Sequence, residues 1–213
     1  MENKIKQIIK EAKKISKKAK WSHDWDHTMR VYNLCLKIWE KENADLEVLE
    51  IAAILHDIWR IKQDKCKWKI CHAEAWWIMS RELLEKYELE KDKFENIIHC
   101  IETHRFRWNK IPLTKEAKIL FDSDKLDSIW AIWIWRAFSF SWEIWAKVHN
   151  KDLDLEKSKE YSKEDTAYRE FHVKLKKIKD RMLTEEWKKI AQTRHDFMEF
   201  FFERLNKEVD WEI

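Results

Sequence analysis

The chain has 213 residues and a mass of 26.5 kDa, room for one large domain or for a domain with a helical extension. Charged residues make up 39% and hydrophobic residues 45%, which supplies a globular core and excludes a disordered chain; no run approaches the 18 apolar residues that a membrane span needs. Lysine and arginine number 43 against 40 acidic residues, a net charge of +3, which makes no general case for nucleic-acid binding.

The apolar spacing is helical almost throughout. Ile5, Ile8, Ile9, Ala12 and Ile15 mark an amphipathic helix over residues 2–19, with its lysines on a solvated face. The opening MENKIKQIIKEAKK has no apolar h-region and is not read as a secretory signal. Residues 26–42 form a second helix, with Val31, Leu34 and Ile38 on one side. Asp45 reads as the N-cap of a third, 46–58, whose run IAAILHDI is apolar enough to be buried. A polar stretch, 60–70, precedes helices at 72–87 and 91–105. The loop RFRWNKIPLT carries the single proline, Pro112, and Thr114 with Glu116 starts a long helix towards Trp145. The polar segment 147–163 is expected to loop out. Two final helices are expected at 163–182 and 185–209, the second announced by Thr184, Glu185 and Glu186. No strand pattern or internal repeat interrupts this reading. The expectation is an all-α chain: a domain over 1–146, then a helical extension, 147–213, packed on it. The charge-rich KDLDLEKSKEYSKED is the candidate for a flexible or functional insert.

Four cysteines, Cys35, Cys66, Cys71 and Cys100, do not make a disulfide scaffold in a chain of this length, and a reducing, cytoplasmic setting is expected. The C-x4-C-H run ending at His72 lacks the second pair that a zinc cluster needs. The aromatic run Phe197, Phe200, Phe201 and Phe202 reads as core or as the contact of a homodimer.

One feature of the composition is abnormal: no glycine and 15 tryptophans. Ordinary usage near 7% predicts roughly 15 glycines. Trp21 at a helix entry, Trp39 near a helix end and Trp108 in a polar loop stand where glycine is expected. Most tryptophans are therefore read as replacing glycines of a parent sequence. Such replacements cost about 1–3 kcal/mol where backbone is left-handed or packing is tight, so the chain is expected to be less stable and less active than that parent.

Chemistry concentrates at His56-Asp57 in AAILHDIWR. An ionised carboxylate beside a histidine in apolar sequence is costly unless something pairs with it. A divalent cation is an economical partner, and imidazole nitrogen with carboxylate oxygen suits Mn, Fe, Co, Ni or Zn. Upstream, SHDWDHTMRV offers His23 and His27; downstream, FDSDKLDSI offers Asp122, Asp124 and Asp127. Residues two apart lie about 200° around a helix, so Asp122 and Asp124 cannot both face one site, whereas Asp124 and Asp127 can.

The ordered set of His, then His-Asp, then Asp, with flanks HDWDHTMRVYNL, AAILHDIWR, CHAEA, ETHRFR and EAKILFDSDKLDSIWAI, resembles the HD superfamily of metal-dependent phosphohydrolases, in its compact single-domain branch. The resemblance runs from about Trp21 to Phe138. It implies an HD-type helical bundle with His27, His56, Asp57 and Asp124 as metal ligands. Asp124 is preferred to Asp127 because the family's last ligand precedes a basic residue and leucine, here Lys125-Leu126. The family usually has glycine at Trp59, Trp130 and Trp133, while an aromatic at Trp25 is common.

The resemblance further implies hydrolysis of a phosphate ester or phosphoanhydride of a small metabolite, foremost a nucleotide, by metal-activated water. Manganese is the first expectation for the ion, with Fe, Co, Ni, Zn or Mg as alternatives. Asp57 is placed to bind the ion and to help deprotonate the water. Arg30, Lys125, Arg105 and Arg107 are candidates to hold phosphate. His104 and His72 are candidates for a second ion, for protonating the leaving oxygen or for contacting phosphate. A rival reading keeps the HD fold as a non-catalytic ligand-sensing or interaction module.

Overall fold

The computed structural model describes residues 2–16, 25–58, 72–105, 110–155 and 157–213. Among them are nine α-helices and no strand: α1 Glu2–Ser16, α2 Trp25–Ile38, α3 Leu46–Leu55, α4 His72–Leu84, α5 Lys91–Thr103, α6 Lys115–Asp127, α7 Ala131–Glu143, α8 Ala167–Val173 and α9 Glu185–Val209. Single 3-10 turns lie at Leu175–Lys177 and Lys179–Arg181. The chain is all-α, and among the described residues no helix is long and apolar enough to cross a membrane. It divides into two compact units, Met1–Asp124 and Lys125–Ile213.

In the first unit α3 is central, packed against α1, α2 and α5, while α4 packs on α5. That placement explains its composition. Val48, Leu49 and Ile51 through Leu55 are all buried, and a helix apolar on every side is stable only when surrounded. Asp45 caps it, accepting the Val48 N–H at 3.2 Å. One carboxylate joins three helices: Glu116 on α6 accepts the Asp45 N–H at 2.7 Å and the Asn96 amide of α5 at 2.9 Å. Thr114 donates to the same Asn96 at 2.8 Å and accepts the Ala117 N–H, starting α6 where the sequence places it. His99 accepts the Leu113 N–H at 3.0 Å and so fixes the approach to that helix.

The second unit corrects two expectations. The helix expected to run from Thr114 towards Trp145 is instead two, α6 and α7, because Trp130 takes φ 120° and ψ −169°. This region of backbone space is essentially confined to glycine. Its carbonyl then opens α7 by accepting from Trp133 and Ile134 at 3.0 and 3.1 Å. Trp145 and Trp211 also have positive φ, 57° and 58°. Trp187, by contrast, is a fully buried core residue. The helix expected over 163–182 is only α8, followed by the two 3-10 turns; Lys174 leaves the helical region at φ −127°. Leu175, Ile178 and Met182 are buried, and their spacing of three and four imitates an α-helix although the turns are tighter.

Among the described residues the stretch between α7 and α8 is non-helical, as the sequence suggests, and it is pinned. Arg169, 4% exposed, donates to Asp165 at 2.9 Å, to the Ser158 hydroxyl at 2.5 Å and to the Ser158 carbonyl at 3.2 Å. Asp165 accepts the Tyr161 N–H at 2.7 Å, and Asn150 donates to the Glu164 carbonyl at 2.9 Å.

Two stability outcomes follow from this geometry. The strain at Trp130, about 1–3 kcal/mol and at the upper end for a glycine-only region, opposes the contact of its ring with the Arg194 guanidinium 4.7 Å away, worth about 0.5–1 kcal/mol. Glycine also costs about 0.4–1 kcal/mol through the unfolded state. Strain wins, so Trp130→Gly is expected to raise the Tm; an unchanged or lower Tm in thermal unfolding contradicts a strained tryptophan. Arg169→Ala leaves the buried Asp165 carboxylate without its cation, held only by the Tyr161 N–H among the described contacts, and is expected to cost about 3–5 kcal/mol. Lys157→Ala, which breaks the exposed pair with Asp154 at 2.8 Å, is expected to change stability by less than about 0.5 kcal/mol. Equal effects in urea unfolding count against this ranking.

Candidate metal centre

The site is assembled from helix ends. His27 stands in the first turn of α2, His56 and Asp57 directly follow α3, His104 caps the end of α5, and Asp124 lies on α6. All five are buried, at 2%, 1%, 3%, 2% and 9% exposure respectively.

The two capping histidines use the same device. His56 Nδ1 lies 2.7 Å from the Ala53 carbonyl and His104 Nδ1 2.5 Å from the Ile101 carbonyl, each three residues back. A carbonyl only accepts, so Nδ1 donates in both rings and Nε2 presents a lone pair. Each ring thereby satisfies a terminal carbonyl of its own helix. The carbonyl ends of α3 and α5 also carry partial negative charge, which favours a cation between them.

His27 Nε2 is the hub. It lies 3.3 Å from His56 Nε2, 3.5 Å from Asp124 Oδ1 and 3.9 Å from Asp57 Oδ2. His27, His56 and Asp124 form a set whose donor atoms all lie within 4.8 Å of one another. Neighbouring ligands round one tetrahedral ion at about 2.0–2.2 Å are about 3.3–3.6 Å apart, so the 3.3 and 3.5 Å spacings fit a shared cation. With the His56 Nε2 lone pair as acceptor, the 3.3 Å contact is a hydrogen bond donated by His27 Nε2–H, a proton whose place a metal ion would take. Burial above all pushes the His56 imidazolium down to about 4, so near neutrality the ring is neutral, the form that binds metal. Burial likewise pushes the nearby Cys35 thiol up to about 12.

Asp57 is not a member of the mutual set. Its Oδ1 accepts from Arg105 Nη2 at 2.5 Å and lies 3.6 Å from His104 Nε2. Arg105 Nε also donates to His104 Nε2 at 3.1 Å. The sequence offers Arg105 only as a phosphate contact; its pairing with a residue 48 positions away has no local sequence signal. Arg30 is half-buried one turn beyond His27 on α2, and Lys125 is half-buried as the residue following Asp124, in the second unit. Asp122 is fully buried, and Asp127 pairs with Arg136 at 3.7 Å. Trp21, His23, Trp59, Cys66, Cys71, Arg107 and Trp108 lie outside the described residues, as does the side chain of His72. A second set of metal-competent donors, His195, Asp196 and Glu199 on α9, was not singled out from the sequence. There Lys176 already holds Glu199 at 3.0 Å and Gln192 donates to Asp196 at 2.6 Å.

The chain matches the HD domain family over residues 24–129, a span containing every member of this site. It is 35% identical over 191 residues to YpgQ of Bacillus subtilis, covering 88% of this chain and 84% of that protein. Among solved structures it resembles an HD-superfamily hydrolase from Bacillus thuringiensis, with 27% identity, 98% of each chain covered and a TM-score of 0.78. It also resembles Bacillus subtilis YpgQ in complex with ADP, with 29% identity, 97% and 95% coverage and a TM-score of 0.74. The buried His27, His56 and Asp124 set, the helices that carry it and these relatives agree: the chain belongs to the HD superfamily.

Proposed function

We propose that this protein is a divalent-metal-dependent phosphohydrolase acting on a small phosphorylated metabolite, foremost a nucleotide. The observation that carries the reading is the convergence of His27, His56 and Asp124 donor atoms within 4.8 Å, buried between two helix C-termini. The ADP complex of the relative YpgQ supports a nucleotide as the ligand class.

His27, His56 and Asp124 would hold the ion, with Asp57 as the fourth ligand. Manganese is the first choice for this mixed donor set, which does not select sharply among Mn, Fe, Co, Ni and Zn. When bound, a divalent ion supplies Lewis acidity, acidifying water and drawing charge from phosphoryl oxygen. The chain's own residues do the rest. Asp57, acceptor-only when ionised, takes a proton from the attacking water. His104 would serve the leaving oxygen through Nε2, the atom that accepts from Arg105 Nε–H in this structure and must take up a proton before it can donate one. Arg30 and Lys125 orient the phosphate.

Two measurements test the reading. Elemental analysis of purified protein, soaked with Mn2+ and desalted, is expected to find about one ion per chain and a loss of it in His56→Ala. Ion retained equally by both proteins contradicts the assigned ligands. Phosphate or pyrophosphate release from nucleoside mono-, di- and triphosphates is expected to require the ion and to fall at least about 100-fold in Asp57→Asn. Tight nucleotide binding with no turnover by metal-loaded protein favours the non-catalytic sensing module instead.

A further inference from the structure

The two oxygens of Asp57 serve different partners. Oδ2 faces the His27 hub at 3.9 Å, while Oδ1 is held by Arg105 at 2.5 Å. The same guanidinium reaches His104 Nε2 through Nε–H at 3.1 Å. The Asp57 side chain is 2% exposed and that of Arg105 18%. A buried carboxylate needs a counter-charge at all times, whether or not a metal ion is present. Arg105 supplies one from within the chain, and it leaves Asp57 outside the compact His27, His56 and Asp124 set.

We propose that Arg105 exchanges partners: it neutralises Asp57 while no ion is held, and turns to the phosphate of the substrate once a divalent ion takes that carboxylate. The proposal rests on the metal-dependent phosphohydrolase reading and deepens it. Two positive groups compete for one carboxylate in a site with little water, where their mutual repulsion is weakly screened. The Arg105–Asp57 contact at 2.5 Å is a charge-assisted hydrogen bond, worth about 1.5–3 kcal/mol, and a divalent ion brings twice the charge of the guanidinium to the same carboxylate. A guanidinium displaced from a carboxylate is well suited to phosphate oxygens, because the same planar fork fits both. The exchange links the ligands: the ion frees the arginine that receives the substrate, and a phosphate that engages the arginine favours the ion.

The test is a Mn2+ titration followed by electron paramagnetic resonance of the free ion, on the full chain and on Arg105→Gln, Arg105→Lys, Asp57→Asn and the Arg105→Gln/Asp57→Asn double variant. Arg105→Gln is expected to bind Mn2+ about tenfold or more tighter, within the range over which groups touching a ligand tune metal sites. Arg105→Lys keeps the charge and is expected to fall between it and the unchanged protein. The gain is expected to vanish in the Asp57→Asn background. Metal-loaded Arg105→Gln is expected to show a raised KM for nucleotide. Mn2+ affinity that is equal or weaker in Arg105→Gln, or a gain that persists without the Asp57 carboxylate, overturns the exchange. If the unchanged protein binds Mn2+ and His56→Ala does not, such a result sinks the exchange alone. If the unchanged protein binds no Mn2+, Co2+ or Zn2+, both the exchange and the metal reading fall.

Discussion

Two helices end beside each other, and what they bury there is charge. The carbonyl ends of α3 and α5 bring His56, Asp57 and His104 together, and α2 and α6 add His27 and Asp124. Water is largely excluded, so the negative charge of two carboxylates must be answered from inside the site. Burial drives His56 towards the neutral ring, so that imidazole does not supply the counter-charge. The remaining answers are a metal ion and a guanidinium. Arg105 already provides the second at one oxygen of Asp57, and the 3.3–3.5 Å spacing of the other donors suits the first.

The parts of this arrangement differ in how far a one-dimensional reading reaches them. His56-Asp57 is legible because a charged pair inside IAAILHDI contradicts its surroundings. The N-cap at Asp45 and the start at Thr114 are legible because their partners lie three residues away. His27 and Asp124 are 29 residues before and 68 after His56, as their residue numbers show, and no local rule joins positions so far apart. They were found through the ordered resemblance to a family. The pairing of Arg105 with Asp57 is reached by neither route, because it depends on how the last turn of α5 meets the last turn of α3. The break at Trp130 is masked by its side chain, which reads as part of a helix, while its backbone sits where only glycine is at ease, the residue that the family resemblance puts at this position. The Leu175, Ile178 and Met182 series misleads because tight turns and α-helices share that spacing.

The same contrast runs through the second unit. Its polar segment before α8 looks like a free excursion by composition, yet Arg169 gathers Asp165 and Ser158, and Asn150 is tied to Glu164. Polarity alone does not distinguish a solvated loop from one organised round a buried cation. What separates them is whether one long donor side chain can satisfy several acceptors at once.

Glu116 carries a consequence of another kind. It meets the amino end of α3 at Asp45 and the Asn96 amide on α5, and it sits in the first turn of α6. The groups of the site lie further along those same three helices, roughly 12 Å on α5 and α6 and roughly 16 Å on α3 at 1.5 Å per residue. Glu116 is therefore a common datum from which three rods are measured out, and stiff rods carry a shift at one end to the other. A substitution there that let α6 slide by a fraction of a helical step would alter the gap between Asp124 and His27 without touching either. Ligand spacing in this bundle is in that sense a length tolerance, set at the pole of the molecule where no chemistry takes place.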